Sequence, residues 1–443
     1  MTSPYTKAFS ALSTLPLLLA GIVAASPATV NAQNGSKTIT GQAAFTDYSQ
    51  EHPGVRRKIT VADLPEPREA ESVDNGPTTI PRPDGAWPVA PPGFRVQLYA
   101  QGFKEPRLMR TAPNGDIFLA DSHGDKIMVL RGVGPDGKAQ KISTFATDGL
   151  NLPFGIAFYP SGPNPKWVYV GNTDSVVRFP YKSGDLVATG KAEKIVPELP
   201  GFAQLRGGGH WTRDIVFTPD GKRMLVSVGS ASNVDDNSNE FHRADVLQFT
   251  PEGKFVKVYA SGIRNCVGEA INPTTGQLWC STNERDRLGN DLVPDYITSV
   301  KEDGFYGWPW YYIGGHQDPR HAGKHPELKD KVIVPDVLLQ PHFASLEMAF
   351  YEGKQFPSEY TGDAFAAEHG SWNRAKRSGY EVIRVPMRNG HATGEYEDFL
   401  TGFVTPDGKV WGRPVGVTVG NDGSLFVTDD GTKSVWHVTY TGK

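Results

Sequence analysis

One histidine, His210, has the setting of a catalytic base. It follows three consecutive glycines at 207–209, a backbone that can approach a ligand closely, and Arg213 stands three residues later. A neutral imidazole in such a position accepts a proton near pH 7. The alternative is a structural histidine that only makes hydrogen bonds.

Arginines and polar residues recur along the chain. Several arginines with few acids nearby repel one another in a partly dehydrated site unless an anion lies between them, and the planar guanidinium suits carboxylates. The alternative for any single arginine is an ion pair with a local surface acid. Taken together, the set predicts an anionic ligand. Its members are Arg107, Arg213, Arg264 with Asn265, and Arg413.

A polar turn at residues 283–286 (Asn, Glu, Arg, Asp) is a candidate for a hard cation such as calcium. An ordinary solvated turn is the alternative. The sequence has no Cys cluster and no His-Glu-x-x-His pattern for zinc, and it has neither a phosphate-binding loop nor a Rossmann fingerprint. Nucleotide-dependent chemistry is therefore disfavoured.

The composition sets the class of protein that must position these residues. The 443 residues include 45 Lys and Arg against 49 Asp and Glu, a net charge of -4, which argues against a disordered chain and against a generally basic nucleic-acid binder. With 49 glycines and 35 prolines, turns must be numerous. An all-β fold is favoured.

An internal repeat agrees with this class. An apolar strand, a glycine turn and a second apolar strand recur six times, and third and fourth strands follow most copies. This pattern predicts a six-bladed β-propeller of four-stranded antiparallel blades over residues 93–443. The strand at residues 94–100 is expected to complete the last blade and close the ring. The six copies lie at residues 108–121, 155–171, 214–229, 269–282, 347–368 and 416–429.

Position in the repeat predicts position in space. The first strand of each propeller blade lines the central channel, so the residues just before it share one mouth, and the loops between second and third strands open on the same face. The predicted mouth residues are Arg107, Phe154, His210, Arg213, Arg264, Asn265, His342 and Arg413, with loops 121–123, 283–286 and 369–374.

The N-terminal 92 residues are read as two segments. Residues 1–32 resemble a signal peptide whose apolar run is too short to span a bilayer, so we expect a secreted, extracellular protein without membrane insertion. Residues 33–92 are predicted to be an irregular arm, with a glycosylation sequon at Asn34. Cys266 and Cys280 are either a disulfide bracing one hairpin or two free thiols.

Six motifs carry a resemblance to a known family. The chain resembles the soluble pyrroloquinoline quinone (PQQ)-dependent sugar dehydrogenases of the glucose/sorbosone group, and most of all the secreted fungal pyranose dehydrogenases. The resemblance covers residues 93–443. The motifs are Gly208-Gly209-His210-Trp211-Thr212-Arg213-Asp214, Gly262-Ile263-Arg264-Asn265, Asn283-Glu284-Arg285-Asp286, Gly304-Phe305-Tyr306-Gly307-Trp308-Pro309, His369-Gly370-Ser371-Trp372-Asn373-Arg374 and Gly412-Arg413-Pro414.

The resemblance implies a role for each site residue. His210 would take the proton of a sugar hydroxyl while hydride passes to PQQ, and the main-chain carbonyls of Glu284 and Arg285 would hold calcium. Electrons would leave to an external acceptor, such as a cytochrome or another secreted redox protein. The resemblance implies that Arg264, Asn265 and Arg413 hold the cofactor. The predicted cofactor-binding set adds residues from the same mouth, namely Arg107, Arg213, Asn283, His369 and Arg374.

The chain departs from the bacterial glucose dehydrogenases at two points, which argues against glucose as the preferred sugar. It has Arg413-Pro414-Val415 where they have Arg-x-Arg, and Arg374, Lys376 or Arg377 would replace their cofactor-binding lysine. The expected substrate is a pyranose, oxidised at its anomeric hydroxyl to a lactone. Aromatic candidates for stacking on the sugar are Phe154, Trp211, Trp308, Trp310 and Trp372.

Two other functions remain open at this point. One is a calcium-dependent lactonase-type hydrolase on a similar six-bladed ring, which would place side-chain acids around its metal. The other is a non-enzymatic propeller that binds protein or glycan on one face.

Overall fold

Short apolar segments separated by glycine turns build the described part of the chain. The computed structural model describes residues 38–200 and 210–442, so the predicted signal segment, Asn34 and the glycines at 207–209 lie outside it. The four glycines of the predicted hairpin turns all have positive φ: Gly115 90°, Gly221 67°, Gly276 70° and Gly423 83°. Such angles cost other residues steric strain, so these glycines fix where each hairpin reverses.

Six antiparallel sheets follow one another along the chain, as predicted. Blade 1 has Pro106–Thr111, Ile117–Asp121, Lys126–Val133 and Ala139–Ala146. Blade 2 has Gly155–Tyr159, Trp167–Gly171, Val176–Pro180 and Glu193–Val196. Blade 3 has Ile215–Phe217, Met224–Val228, Asp245–Phe249 and Phe255–Ser261.

The second half of the ring repeats the order. Blade 4 has Cys266–Ile271, Leu278–Thr282, Pro294–Ser299 and Val337–Pro341. Blade 5 has Ser345–Phe350, Ala364–Glu368, Glu381–Val385 and Tyr396–Leu400. Blade 6 has Pro414–Val419, Leu425–Asp429, Ser434–Tyr440 and Phe94–Gln101.

The predicted ring closure is confirmed. Phe94–Gln101 pairs antiparallel with Ser434–Tyr440, with Phe94 opposite Tyr440 and Gln101 opposite Ser434. The N-terminal strand therefore supplies the outer strand of the last blade, which joins the two ends of the propeller by backbone hydrogen bonds.

Each junction between neighbouring blades has its own apolar core. Phe118 and Val170 belong to the core between blades 1 and 2, while Tyr99 and Met109 belong to the core between blades 6 and 1. The other four junctions are filled in the same way. Because the strands are buried on both faces, they read as continuous apolar runs, and burial of these side chains holds the ring together.

The N-terminal arm is more ordered than predicted. Arg56–Lys58 pairs antiparallel with Tyr396–Leu400 of blade 5, and Ile39–Thr40 adds a parallel strand outside it. The predicted irregular arm thus contains two short strands, which form because the outer edge of blade 5 offers free backbone donors and acceptors.

The remaining elements are short. Two-residue strands occur at Gly304–Phe305, Tyr311–Tyr312, His316–Gln317, Met387–Arg388 and His391–Ala392. The helices in the described ranges are single 3-10 turns or little more, and none of them has the length and apolar character to cross a membrane. They are Gly41–Ala44, Tyr48–Gln50, Val61–Asp63, Glu69–Glu71, Ser122–Gly124, Ser238–Glu240, Pro319–His321, Pro326–Lys331 and Ser358–Tyr360.

Candidate active site

The mouth of the propeller is built from residues at the start of the first strands and from the loops after the second strands. His210 precedes the first strand of blade 3, Arg264 and Asn265 precede that of blade 4, and Arg413 precedes that of blade 6. Arg107 lies inside the first strand of blade 1. The repeat therefore brings distant residues to one end of the channel.

His210 is held in one tautomer. Its Nδ1 lies 2.9 Å from the carbonyl oxygen of Ser230, which can only accept, so Nδ1 carries the hydrogen. Its Nε2 then has a lone pair and no hydrogen-bond partner among the residues described. Burial, together with the nearby Arg264 guanidinium, lowers the pKa of His210 well below its usual value. The imidazole is neutral at pH 7 and can accept a proton at Nε2.

Arg264 and Asp286 form the first charged cluster of the mouth. The two side chains lie 3.3 Å apart, and Asp286 also accepts a hydrogen bond from Asn373 at 2.8 Å. His342 Nδ1 lies 3.5 Å from the same carboxylate. Although burial opposes ionisation, His342 and Arg264 lower the pKa of Asp286, so its negative charge is retained.

Arg107, Asp430, His369 and Arg413 form the second cluster. Arg107 Nη1 donates to Asp430 at 2.6 Å, His369 Nε2 lies 2.9 Å from the same carboxylate, and Arg413 Nη2 donates to His369 Nδ1 at 2.9 Å. Burial and the Arg413 charge lower the pKa of His369 to about 4. A neutral His369 thus links the carboxylate to Arg413 through both ring nitrogens.

The three candidate histidines are distinguished by their free nitrogens. Both nitrogens of His369 are used, and His342 donates from Nε2 to Gly289 O at 3.0 Å while its Nδ1 faces Asp286. Within the described ranges, His210 is the one of the three that keeps an uncommitted nitrogen. The geometry makes it the candidate base.

Several buried polar atoms at the mouth have no partner in the described part of the chain. They are the Nε atoms of Arg107 and Arg413 and the Oδ1 atom of Asn265. Unpaired buried donors are costly, and a ligand with acceptor oxygens would satisfy the two guanidinium nitrogens. Asn265 and His210 pack closely against the backbone of Gly229. Only glycine fits at this position, because a Cβ there would lie 2.2 Å from Asn265 Oδ1 and 2.6 Å from His210 Cβ.

The acids of the mouth correct one prediction. The sequence suggested arginines with few carboxylates nearby, yet Asp286 and Asp430 pair with Arg264 and Arg107. Both acids come from the loops after second strands. The positive excess of the mouth is therefore smaller than the arginine count alone predicts.

Arg213 and Arg374 are placed away from these clusters. Arg213 is fully buried and donates to the carbonyl oxygens of His210 and Thr212, at 2.9 and 2.6 Å, so it supports the backbone of the base. Arg374 donates to Thr46 O and pairs with Asp291, both at 2.6 Å. Neither guanidinium points toward the other predicted cofactor ligands in this arrangement.

The other two candidates for the lysine position also face the arm. Arg377 donates to Asn75 O and Gly76 O at 2.6 and 3.0 Å, and the exposed Lys376 lies 3.6 Å from Asp47. These side chains connect the loop after residue 369 to the arm.

The predicted calcium turn is occupied by an arginine. Arg264 Nη1 donates to the carbonyl oxygen of Glu284 at 2.6 Å, so a cationic group lies where calcium would coordinate that oxygen. The Arg285 side chain is fully buried between Glu284 and Asp318, at 2.9 and 3.1 Å. As arranged, these residues do not fit calcium, and no group of three or more His, Cys, Asp or Glu in the described ranges is placed to hold a metal.

Asn283 and the cysteines brace the start of blade 4. Asn265 Nδ2 lies 3.4 Å from Asn283 Oδ1, and Asn283 in turn donates to Ser345 O. Cys266 and Cys280 form a disulfide with Cα atoms 5.7 Å apart, which links the first two strands of this blade directly after Asn265.

The comparison with protein families is consistent with these motifs. The family model described as TrAA12-like matches residues 88–298 and 317–441. The chain belongs to the TrAA12-like family. Its sequence relatives include dehydrogenases of the class that the motifs predicted, so the resemblance is confirmed.

Two sequence relatives and one solved structure illustrate the family. An uncharacterized protein of Borreliella burgdorferi is 28% identical over 358 residues, covering 79% of this chain and 90% of that protein. A pyrroloquinoline quinone-dependent pyranose dehydrogenase of Coprinopsis cinerea is 24% identical over 414 residues, covering 78% of this chain. The chain spans about half of that dehydrogenase, 53% of its length. The holo form of the pyranose dehydrogenase PQQ domain from Coprinopsis cinerea has the same fold, with a TM-score of 0.65, 21% identity and coverage of 81% and 98% of the two chains.

Sequence reasoning missed several residues of this TrAA12-like site. Asp430 follows the second strand of blade 6, the same repeat position as the turn at 283–286, and that position was the available signal. Ser230 and Asn233 occupy it in blade 3, where Ser230 orients His210 and Asn233 O accepts from Arg264 Nε at 3.2 Å. Arg243, which donates to His210 O at 3.0 Å, had no such signal.

Proposed function

We propose that this protein is a secreted quinoprotein that oxidises a pyranose with PQQ as the electron acceptor. The observation that carries the proposal is one mouth that combines a neutral His210, whose Nε2 has no partner among the described residues, with two buried guanidinium nitrogens that likewise lack partners there. The family relatives named for PQQ and pyranose oxidation support the choice of cofactor and substrate. The predicted signal segment and the disulfide support an extracellular location.

The residues of the mouth fit a multiply charged carboxylate cofactor. Arg107 and Arg413 would bind carboxylates through their unpaired Nε atoms, and Asn265 would position a polar group beside His210. When bound, PQQ supplies a quinone that accepts a hydride. The protein supplies binding, orientation and exclusion of water.

The proton step follows from the tautomer of His210. Its Nε2 takes the proton of the anomeric hydroxyl as the hydride leaves the same carbon, so that the carbon becomes the carbonyl of a lactone. Ser230 O holds the Nδ1 hydrogen throughout, and Arg213 and Arg243 hold the His210 carbonyl. These three contacts keep the imidazole ring of His210 at a fixed angle.

One aromatic residue is placed to contact the sugar. Trp211 follows His210 directly, packs edge-on against Phe154 with centroids 6.1 Å apart, and lies 5.4 Å under the Arg107 guanidinium. Phe154 is fully buried and supports Trp211 rather than offering a face to a ligand. Trp211, which follows the base directly in the chain, is therefore the preferred stacking candidate.

Calcium binding stays a prediction, and one hydrogen bond opposes it. The bond from Arg264 to Glu284 O must be exchanged before a cation can use that oxygen. No catalytic step is derived through the metal.

Reconstitution tests the proposal. The full chain is incubated with PQQ, with and without calcium, and dye reduction is followed with a panel of pyranoses. PQQ binding is measured separately by calorimetry. Sugar-dependent dye reduction that requires PQQ is expected, with electrons passing to an external acceptor in place of the natural cytochrome or other redox partner.

Two results of the same experiment would reject the dehydrogenase. The first is the absence of both PQQ binding and dye reduction with every sugar. The second is hydrolysis of lactones without PQQ, which would favour the calcium-dependent lactonase instead.

A further inference from the structure

A cavity of about 570 Å³, separate from the mouth, lies beside the third strand of blade 3. Its apolar wall is made of Phe241, Phe305, Trp308, Trp310 and Leu328. Arg243 separates it from the mouth, since this side chain lines the cavity and donates inward to Gly229 O and His210 O. The cavity is thus distinct from the site proposed for the cofactor.

The indole N–H groups of the two tryptophans that line the cavity already have partners within the protein. Trp308 Nε1 donates to Asn233 O at 2.8 Å, and Trp310 Nε1 lies 3.3 Å from Asp236 Oδ2. The rings of Phe305 and Trp310 adjoin, with centroids 6.3 Å apart. A ligand in this cavity therefore meets no free indole N–H group from Trp308 or Trp310.

Asp245 is the carboxyl group of this cavity without a partner. It begins the third strand of blade 3, and its side chain makes no hydrogen bond or ion pair within the described part of the chain. The other acids are occupied: Glu240 accepts from Ser232 and Ala231 N, and Asp236 pairs with Lys324 at 2.8 Å.

We propose that this cavity binds an organic ammonium ion, with its cationic head at Asp245 and its apolar groups against Phe305 and Trp310. Aromatic faces attract cations through their ring quadrupole, and cages of this kind are used to recognise quaternary ammonium groups. The single free carboxylate supplies the opposite charge. The two features are complementary to the same chemical group.

A sugar fits the lining less well. Sugar hydroxyls need donors and acceptors placed around the ring, whereas the indole N–H groups here are used and the Nε and Nη2 atoms of Arg243 donate to backbone carbonyls. Binding of a neutral pyranose is therefore an outcome against the proposal.

Proton release gives the binding a specific signature. Burial raises the pKa of Asp245 to about 8, so its carboxyl is largely protonated at pH 7. Asp235, Asp236, Glu240 and Arg243 are the other charged groups that line the cavity. Because a bound cation favours the ionised carboxylate, binding should release a proton, and affinity should rise with pH until it levels off above about 8.

Calorimetry on the full chain tests the proposal with two probes of equal shape. Choline carries a permanent positive charge, and 3,3-dimethylbutan-1-ol is its neutral counterpart. Titrations at pH 7 in phosphate and in Tris, which differ in ionisation heat, count the protons released. We expect choline to bind more tightly than the alcohol and to release nearly one proton.

Two variants and a control separate the contributions. Asp245→Asn should weaken choline about tenfold or more and abolish proton release, because a charge-assisted contact is lost. Trp310→Leu should weaken it about two- to fivefold with proton release unchanged. Asp407→Asn, on a remote exposed loop, should change neither.

The overturning outcomes are equally definite. Equal affinity for choline and the alcohol, or no choline binding at millimolar concentration, would reject the proposal without any variant. Binding of methyl glucoside that depends on Asp245, with no choline binding, would make the cavity a carbohydrate subsite and also reject it.

Discussion

The mouth and the junction between blade 5 and the arm both bury charged groups. The mouth has an excess of basic groups, whereas the junction has an excess of acidic groups. In the two clusters of the mouth, three arginines stand against two acids, and two guanidinium nitrogens lack partners among the residues described. At the junction, Arg57 is fully buried among the acids Glu51, Glu381 and Asp398, and Glu368 lies close to Glu381. Both oxygens of Glu381 and one of Glu368 have no hydrogen-bond partner within the residues described.

The excess charge of the two regions is neutralised in different ways. Arginine cannot lose its proton under ordinary conditions, so an external anion is what would neutralise an excess of guanidinium charge at the mouth. Carboxylates can take up protons, and burial together with Asp398 and Glu51 raises the pKa of Glu381 well above its usual value. A buried basic excess therefore points to a ligand, whereas a buried acidic excess is neutralised by solvent protons.

Removal of Arg57 should have the largest effect. Arg57→Gln leaves Asp398 without its cation, and breaking a buried pair costs about 3–5 kcal/mol when the acid stays ionised. The free energy of unfolding by urea at pH 8 measures the loss. Arg56→Gln is the matched control, because the Arg56–Glu397 pair is partly exposed and should cost at most about 1 kcal/mol. Equal losses would remove the distinction between buried and exposed pairs at this edge.

His210→Gln should come next. Turnover should fall on the order of 10²-fold while PQQ affinity stays within about twofold, because the base is lost and the arginines remain. His369→Gln is the comparison: it breaks the link between Asp430 and Arg413, so it should lower PQQ affinity more than turnover. In the native enzyme, the acid limb of kcat/KM should lie below the usual histidine pKa. Unchanged turnover in His210→Gln would exclude it as the base.

Arg413→Gln should reduce PQQ affinity by about 10- to 100-fold, since charge-assisted hydrogen bonds contribute about 1.5–3 kcal/mol. Calorimetric titration of PQQ gives the affinity. Arg131→Gln, which loses an ion pair to Asp116 on blade 1, should leave that affinity unchanged. If both variants bind PQQ like the native chain, the anion does not lie at the mouth.

Glu381→Gln should have the smallest effect and a defined sign. A carboxyl whose folded pKa is raised stabilises the fold at acid pH, and this contribution is lost as pH rises through the folded pKa. The native urea midpoint should therefore fall as the pH rises above about 4.5, the ordinary pKa of a glutamate, and the variant should show a smaller fall. Parallel pH profiles for the two proteins would show that Glu381 does not titrate in this range.

Most of the fold follows from local sequence. Hairpin glycines and the apolar segments on either side of them fix the strands. The sixfold recurrence of this pattern fixes the propeller with its N-terminal closing strand. The arm strands could not be predicted, because Arg56–Lys58 is an ordinary polar segment that becomes a strand only against the open edge of blade 5. Edge pairing depends on a neighbour distant in sequence.

The candidate site divides in the same way. Repeat position predicted that His210, Arg107, Arg264 and Arg413 share one mouth, because in a propeller the same position in each copy opens on the same face. Only the tertiary structure decided which atoms stay free, because hydrogen bonds between blades determine that. Ser230 O fixes the tautomer of His210, Asp430 joins His369 to Arg107, and Arg264 takes the Glu284 carbonyl.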